Sequence, residues 1–147
     1  MPLETKWETH GFYARFWGTV TLADIETKNR TFSNSPLSDH CHYQIFDGSE
    51  IESFDLPANG IVEMASHDIG MGSYLRGLSV IHIASRPEVR EVYQKYISLC
   101  LRLNLSWKFH ICNNLEQARS WLSQQEKRRA EEAKQKTPPP FFFHPTP

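Results

Sequence analysis

The chain has 147 residues, 39% of them hydrophobic and 22% charged, with a formal net charge of -1. That length fits one domain with one good core. The balanced charge excludes a global field that would draw the protein to nucleic acid or to an anionic membrane.

Three cysteines, Cys41, Cys100 and Cys112, are odd in number and widely spaced. They suit neither a disulfide framework nor the CxxC spacing of a zinc or redox site. The opening Met1-Pro2-Leu3-Glu4 has no basic region or apolar run, so no signal peptide is expected. No apolar stretch approaches the roughly 20 residues that span a bilayer, so no integral membrane segment is expected. The cytoplasm is the expected compartment.

Leu3 to Glu8 predicts a short first strand, with a turn at Thr9-His10-Gly11. From Phe12 to Val20 the residues alternate, with Phe12, Ala14, Phe16 and Val20 on one face. Tyr13, Arg15, Trp17 and Thr19 make a wetter opposite face. Thr21 with Asp24 is an N-cap signal. Leu22, Ile25 and Phe32 then give a sparse helical face that Pro36 ends.

His40 to Phe46 reads as the second long strand. From Pro57, Ile61, Val62, Ala65 and Ile69 recur at helical spacing until Gly70 and Gly72. Leu78 to Ala84 is nearly all apolar, as in a strand covered on both faces. Ser85 and Glu88 predict a capping box around Pro87. The helix that follows carries Val89, Val92, Tyr93, Tyr96, Ile97, Cys100 and Leu103 on one face. Trp107 to Cys112 is the last strand. Asn114 and Gln117 cap a final helix whose Leu115, Ala118, Trp121 and Leu122 face inward. This order predicts an α/β fold, with a mixed, mostly parallel sheet of four or five strands and about four helices.

Within Tyr43 to Pro57 an apolar strand runs into Asp47, and Asp55 follows eight positions later, just before a helix. This layout resembles the strand-loop-helix segment of STAS domains, the family of anti-sigma-factor antagonists and sulphate-transporter tails. The resemblance runs from about Gly11 to Leu122 and is similar to the SpoIIAA-like, STAS/SEC14 branch. It includes the step Gly18-Thr19-Val20-Thr21, the segment Ala84 through Tyr96 with its paired tyrosines, and Glu116-Gln117-Ala118-Arg119-Ser120-Trp121-Leu122.

In that family a serine in the second aspartate motif is phosphorylated to switch partner binding. Here Leu56 stands at the corresponding position and Pro57 follows it. The resemblance implies a non-enzymatic regulatory or protein-interaction module acting through a loop from Asp47 to Asn59. Its contact residues would be Asp47, Ser49, Ser53, Asp55, Leu56 and Asn59, with no phosphate switch at Leu56. Ser49 and Ser53 remain as other hydroxyls. The SEC14 side of the family implies the alternative, a small apolar or lipid ligand. Its contacts would come from Phe54, Leu56, Met64, Met71, Tyr74 and Leu75, which also read as ordinary core.

Other constellations are weaker. His40 and His42 share one side of the predicted strand, and His82 and His110 sit in the two later strands, but nothing makes three of them converge on a metal. Ser49 beside Asp47 lacks a G-x-S-x-G elbow, and Asp47 reads as a cap for loop amides. Asp47, Glu52 and Asp55 read as surface carboxylates rather than an acid/base pair. Gly70-Met71-Gly72 lacks the lysine of a phosphate loop. No enzyme motif and no cofactor is expected.

The domain is expected to end near residue 123. Residues 124 to 136 are polar and helix-favouring, and read as a solvated extension of the last helix. Residues 137 to 147 are rich in proline and carry Phe141, Phe142 and Phe143. They read either as a disordered end or as a segment that docks on this chain or a neighbour. With Tyr13, Arg15 and Trp17 on the wetter strand face, they lead to the expectation of a homodimer or larger assembly.

Overall fold

The computed structural model describes residues 2–136. In chain order the elements are β1 (Leu3–Trp7), β2 (Gly11–Thr21), α1 (Leu22–Ser33), β3 (Tyr43–Asp55), α2 (Gly60–Gly72), β4 (Ser79–Ile83), α3 (Pro87–Arg102), β5 (Lys108–Cys112) and α4 (Leu115–Lys136). They build one sheet in the order β1-β2-β3-β4-β5. β1 pairs antiparallel with β2, and every later neighbour is parallel. The mixed, mostly parallel α/β sheet expected from the sequence is the one observed.

The alternation in β2 explains the layering. Phe12, Ala14, Phe16 and Val20 are buried in the main core with residues of α1, α2 and α3. The opposite face of β3 and β4 presents Ile45, Ile81 and Ile83, which α4 covers with Ala118 and Leu122. β4 is buried along its whole length because helices cover both faces. Thr21 caps α1 in a full capping box with Asp24, a motif worth about 1 kcal/mol. At α4, Asn114 Oδ1 accepts from the Gln117 amide at 2.9 Å, while Gln117 Oε1 accepts from the Asn113 amide at 2.9 Å.

Several local expectations are corrected. Of the expected loop from Asp47 to Asn59 only 56–59 is one: β3 continues to Asp55 because it keeps pairing with β2 after β4 has ended at Ile83. His40 closes a 3-10 turn at Pro36–His40, where Pro36 and the Ser35 cap favour a tight turn, so His40 and His42 do not share a strand. His82 and His110 do lie on neighbouring strands, but they face opposite layers. His82 packs against Tyr93, and His110 stacks on Trp121 at 4.8 Å. Arg86, not Ser85, is the N-cap of α3 and makes no side-chain cap bond, because the Ser85 hydroxyl donates to the Ser49 carbonyl at 2.8 Å.

Burial also differs from the helical pattern in places. Val62, Leu103 and Leu115 are exposed. On α2 Ala65 is buried and Ile61 and Ile69 pack against the core as expected, and the buried stripe also takes in Met64, Asp68 and Met71. The helix α4 runs without a break through residue 123. Its Gln125 is buried, its Glu126 meets His42 Nδ1 at 3.0 Å, and Arg129 donates to the Gly77 carbonyl at 3.3 Å. Residues 124 to 129 therefore rest on the sheet's amino end rather than standing free in solvent. The Pro/Phe segment lies outside the described residues.

Candidate functional site

Two places stand out, and one sits at the carboxyl end of the parallel strands. There β3 uses thirteen residues to pair with the eleven of β2, and the extra two are absorbed as irregularities after Asp47 and after Ile51. The first one turns Asp47 into a hub. Its Oδ1 accepts from the Ser49 amide at 3.1 Å and the Ser49 hydroxyl at 2.7 Å, while Oδ2 accepts from the Tyr13 hydroxyl at 2.9 Å. Burial and the bond to Asp47 push the Tyr13 phenol up to about 12.

Gly48 is required at this irregularity by space, not by backbone angle. A Cβ there would lie 2.7 Å from the Tyr93 hydroxyl and 2.9 Å from the Ile83 carbonyl. Ser49 is half-buried with its hydroxyl engaged. Ser53 is exposed, its hydroxyl 3.2 Å from that of Thr19. Beyond them, Asp55, Pro57, Ala58 and Asn59 are exposed at the tip, Leu56 is half-buried against the core, and Val62 on the first turn of α2 stays in solvent.

The second place was not singled out from the sequence. Between the sheet and α1, α2 and α3 lies a cavity of about 30 Å³ whose wall carries Lys28, Asn29, Asp68, His82, Tyr93 and Tyr96. All six residues are buried. The Lys28 ammonium sits 3.9 Å from the centre of the Phe46 ring and has no hydrogen-bond partner among the described residues. Tyr96 donates to Asp68 Oδ2. His82 Nδ1 is a buried polar atom without a partner among the described residues.

Burial drives the local acidities. It pulls Lys28 down to about 8 and His82 down to about 3, with the nearby Lys28 charge adding to the second shift. Burial raises the Asp68 carboxyl against the opposing effects of Lys28 and Tyr96. A faint signal was present: α1 and α2 each place a polar residue, Lys28 and Asp68, where helical spacing calls for an apolar one. His82 likewise interrupts the apolar run of β4.

Of the residues assigned to an apolar ligand, Phe54 and Met64 line this cavity. Tyr74 and Leu75 border a different groove, beside His42 and Arg129. Met71 is buried in the core, and Leu56 packs on its edge. The structure does not bring the six together around one space. The cavity holds one or two water-sized molecules, about a tenth of what a drug-sized ligand requires. Among the described residues no group of three or more His, Cys, Asp or Glu could hold a metal, and no helix is long and apolar enough to cross a membrane.

A five-stranded mixed sheet with three helices on one face and a fourth on the other defines an α/β domain. No family model matches the sequence, and no curated protein matches it either. The structure is similar to the anti-sigma factor antagonist SpoIIAA in its unphosphorylated form, at 13% identity and a TM-score of 0.52, over 82% of this chain and 97% of that one. It is similar to an uncharacterised DUF3478-family protein with a SpoIIAA-like fold from Shewanella loihica PV-4, at 13% identity and a TM-score of 0.52, over 82% and 91%. It is also similar to the Bacillus cell fate determinant SpoIIAA in its phosphorylated form, at 12% identity and a TM-score of 0.50, over 82% and 98%. The protein has a SpoIIAA-like fold.

Proposed function

We propose that the chain is a non-enzymatic regulatory or protein-interaction module that meets its partner through the tip of β3, the turn at 56–59 and the start of α2, without a phosphoserine switch. The observation that carries this reading is the composition of the tip. Asp55, Pro57, Ala58, Asn59 and Val62 face solvent on the end of a SpoIIAA-like sheet, and the aliphatic Leu56 stands where the sequence resemblance implies a switch serine. The Ser49 hydroxyl is already committed to Asp47. A phosphate there would put two negative groups side by side in a half-buried site. SpoIIAA, an anti-sigma factor antagonist with unphosphorylated and phosphorylated forms, supports the class of function.

A photo-crosslinking residue at Asn59 should trap a partner in native lysate, and Val62→Asp should abolish that product while the chain stays folded. Undiminished capture by the Val62→Asp variant would move the interface elsewhere. Serine kinases should place no stoichiometric phosphate between residues 47 and 59 by mass spectrometry. Full modification at Ser49 or Ser53 would overturn the silent switch. Self-association belongs to the same reading, with the segment 137–147 contributing. Light scattering should report a smaller mass when that segment is deleted, and a monomeric full-length chain at micromolar concentration would remove this part.

A further inference from the structure

The buried cluster at Lys28 has the wrong chemistry for a core that only packs. The Lys28 ammonium is held at 7% exposure above Phe46, with no acceptor among the described residues for any of its three protons. Close to it, His82 at 2% exposure leaves Nδ1 unpaired. Asp68, the compensating charge, already takes the Tyr96 hydroxyl. Buried polar atoms are almost always satisfied, so the orphan His82 Nδ1, with the Lys28 ammonium nearby, calls for an acceptor oxygen.

The space around this point lies beside a larger one. A groove of about 400 Å³ runs over the outer surface between α1 and α2, where the apolar Leu22, Ile25 and Met64 stand among polar and charged side chains that include Glu26, Arg30 and Glu63. Ile25, Asn29 and Met64 line both the groove and the buried cavity, so these three side chains are the partition. Met64 is flexible and unbranched, and its thioether adapts readily to a neighbour. A volume of about 400 Å³ falls within the range of small-molecule sites.

We propose that cavity and groove together bind a small monocarboxylate with an apolar stem. The carboxylate accepts hydrogen bonds from Lys28 Nζ and from the Nδ1–H tautomer of His82, and the stem passes between Ile25 and Met64 into the groove. The occupant is a single negative charge because the unmatched donors are one cation and one neutral ring, and its stem is apolar because two of the three side chains at the partition, Ile25 and Met64, are apolar.

The titratable groups facing the head are Lys28 from α1, Asp68 and His67 from α2, Tyr93, Tyr96 and Cys100 from α3, and His82 from β4. Of these, Asp68 is the one that a bound carboxylate opposes. Its carboxyl is raised by burial, which lessens its repulsion of a bound carboxylate wherever it is protonated. Affinity therefore falls as pH rises.

The test is titration of the full chain with acetate, butyrate, hexanoate and n-hexanol, followed by amide chemical shifts. Saturable binding is expected to tighten with chain length from acetate to hexanoate, with shifts centred on α1, α2 and His82. Hexanol should bind at least tenfold more weakly, the loss expected when a charge-assisted hydrogen bond is removed. Lys28→Met should lose the same factor while its spectrum shows a folded chain. Lys28→Met combined with Asp68→Asn leaves neither partner's charge stranded, so it gives the same readout should the single variant unfold. No saturation by hexanoate at roughly 10 mM, equal affinity for hexanol, or undiminished binding by the Lys28 variants would each overturn the proposal and leave the cavity as a water site.

Discussion

Tyr13 and Asp47 meet across the β2–β3 pairing, 34 residues apart, with the phenol donating to Oδ2 at 2.9 Å. The contact joins the hub at the end of the parallel strands to the face of the sheet covered by α4. Tyr13→Phe keeps the ring and removes the bond, so stability at neutral pH should fall by about 1–2 kcal/mol, between the values for neutral and for charge-assisted hydrogen bonds at a half-buried site. The pH dependence has a definite sign. The folded phenol lies at about 12, above its ordinary value of 10, so its contribution is complete below pH 10 and is lost as pH rises from 10 to 12. Urea denaturation of wild type and variant should give curves that converge over that window. A constant gap through it would mean that the bond does not shift the phenol.

Gly48 supplies the second prediction. Alanine there would press on the Tyr93 hydroxyl, the Ile51 side chain and the Ile83 carbonyl at 2.7–2.9 Å. A β4 carbonyl cannot rotate away as a side-chain end can, so Gly48→Ala should cost about 1–3 kcal/mol. Removing the nearest contact by Tyr93→Phe should restore part of the loss. Denaturation midpoints of the two single variants and the double variant measure it. A Gly48→Ala chain as stable as wild type would show that β4 yields.

The contrast between these sites and the expectations from sequence has a physical basis. β2, the Thr21–Asp24 cap, the apolar β4 and the Asn114–Gln117 cap were legible because each is set by neighbours within a few residues. The continuation of β3 past Asp47 was not. Gly48, Ser49 and Asp55 are turn-forming residue types, and only pairing with β2, some thirty positions away, holds them extended. Likewise Lys28, Asp68 and His82 come from three separate elements. Each alone reads as one polar residue on an otherwise apolar face, and their convergence exists only once α1 and α2 lie on the same side of the sheet.

His82 gives the chain an acid limb. Its ring is held at about 3 by burial and by the Lys28 charge, below the ordinary 6.5. A folded value below the unfolded one stabilises above pH 6.5 and loses that contribution as pH falls from 6.5 toward 3. His82→Phe places an apolar ring among Phe46, Tyr93 and Tyr96 and has the adjoining cavity to expand into. Its stability at neutral pH should stay within about 1.5 kcal/mol of wild type. Thermal melts between neutral pH and pH 4 should show a flatter decline than wild type. An identical decline in both chains would place the acid sensitivity elsewhere.

Lys28 and Asp68 together supply the last prediction. A buried ammonium at about 8, below its ordinary 10.5, is a group whose charge the fold opposes at neutral pH. Removing only Asp68 would take away the one charge that favours the Lys28 ammonium and should be destabilising, by less than the roughly 3–5 kcal/mol for breaking a direct buried pair. Replacing both at once, as Lys28→Met with Asp68→Asn, removes the charges, fills similar volume and leaves Tyr96 an acceptor. Lys28 and Asp68 interact through their charges without a direct bond, and removing both buried charges together should be neutral or stabilising, by no more than the roughly 1–4 kcal/mol seen for directly bonded buried pairs. The double variant should therefore melt no lower than wild type, and higher where the full effect is realised, while losing hexanoate binding. A core that gains stability without its charges keeps them for something other than folding. A double variant that melts lower than wild type would show instead that the pair holds α1 and α2 to the sheet.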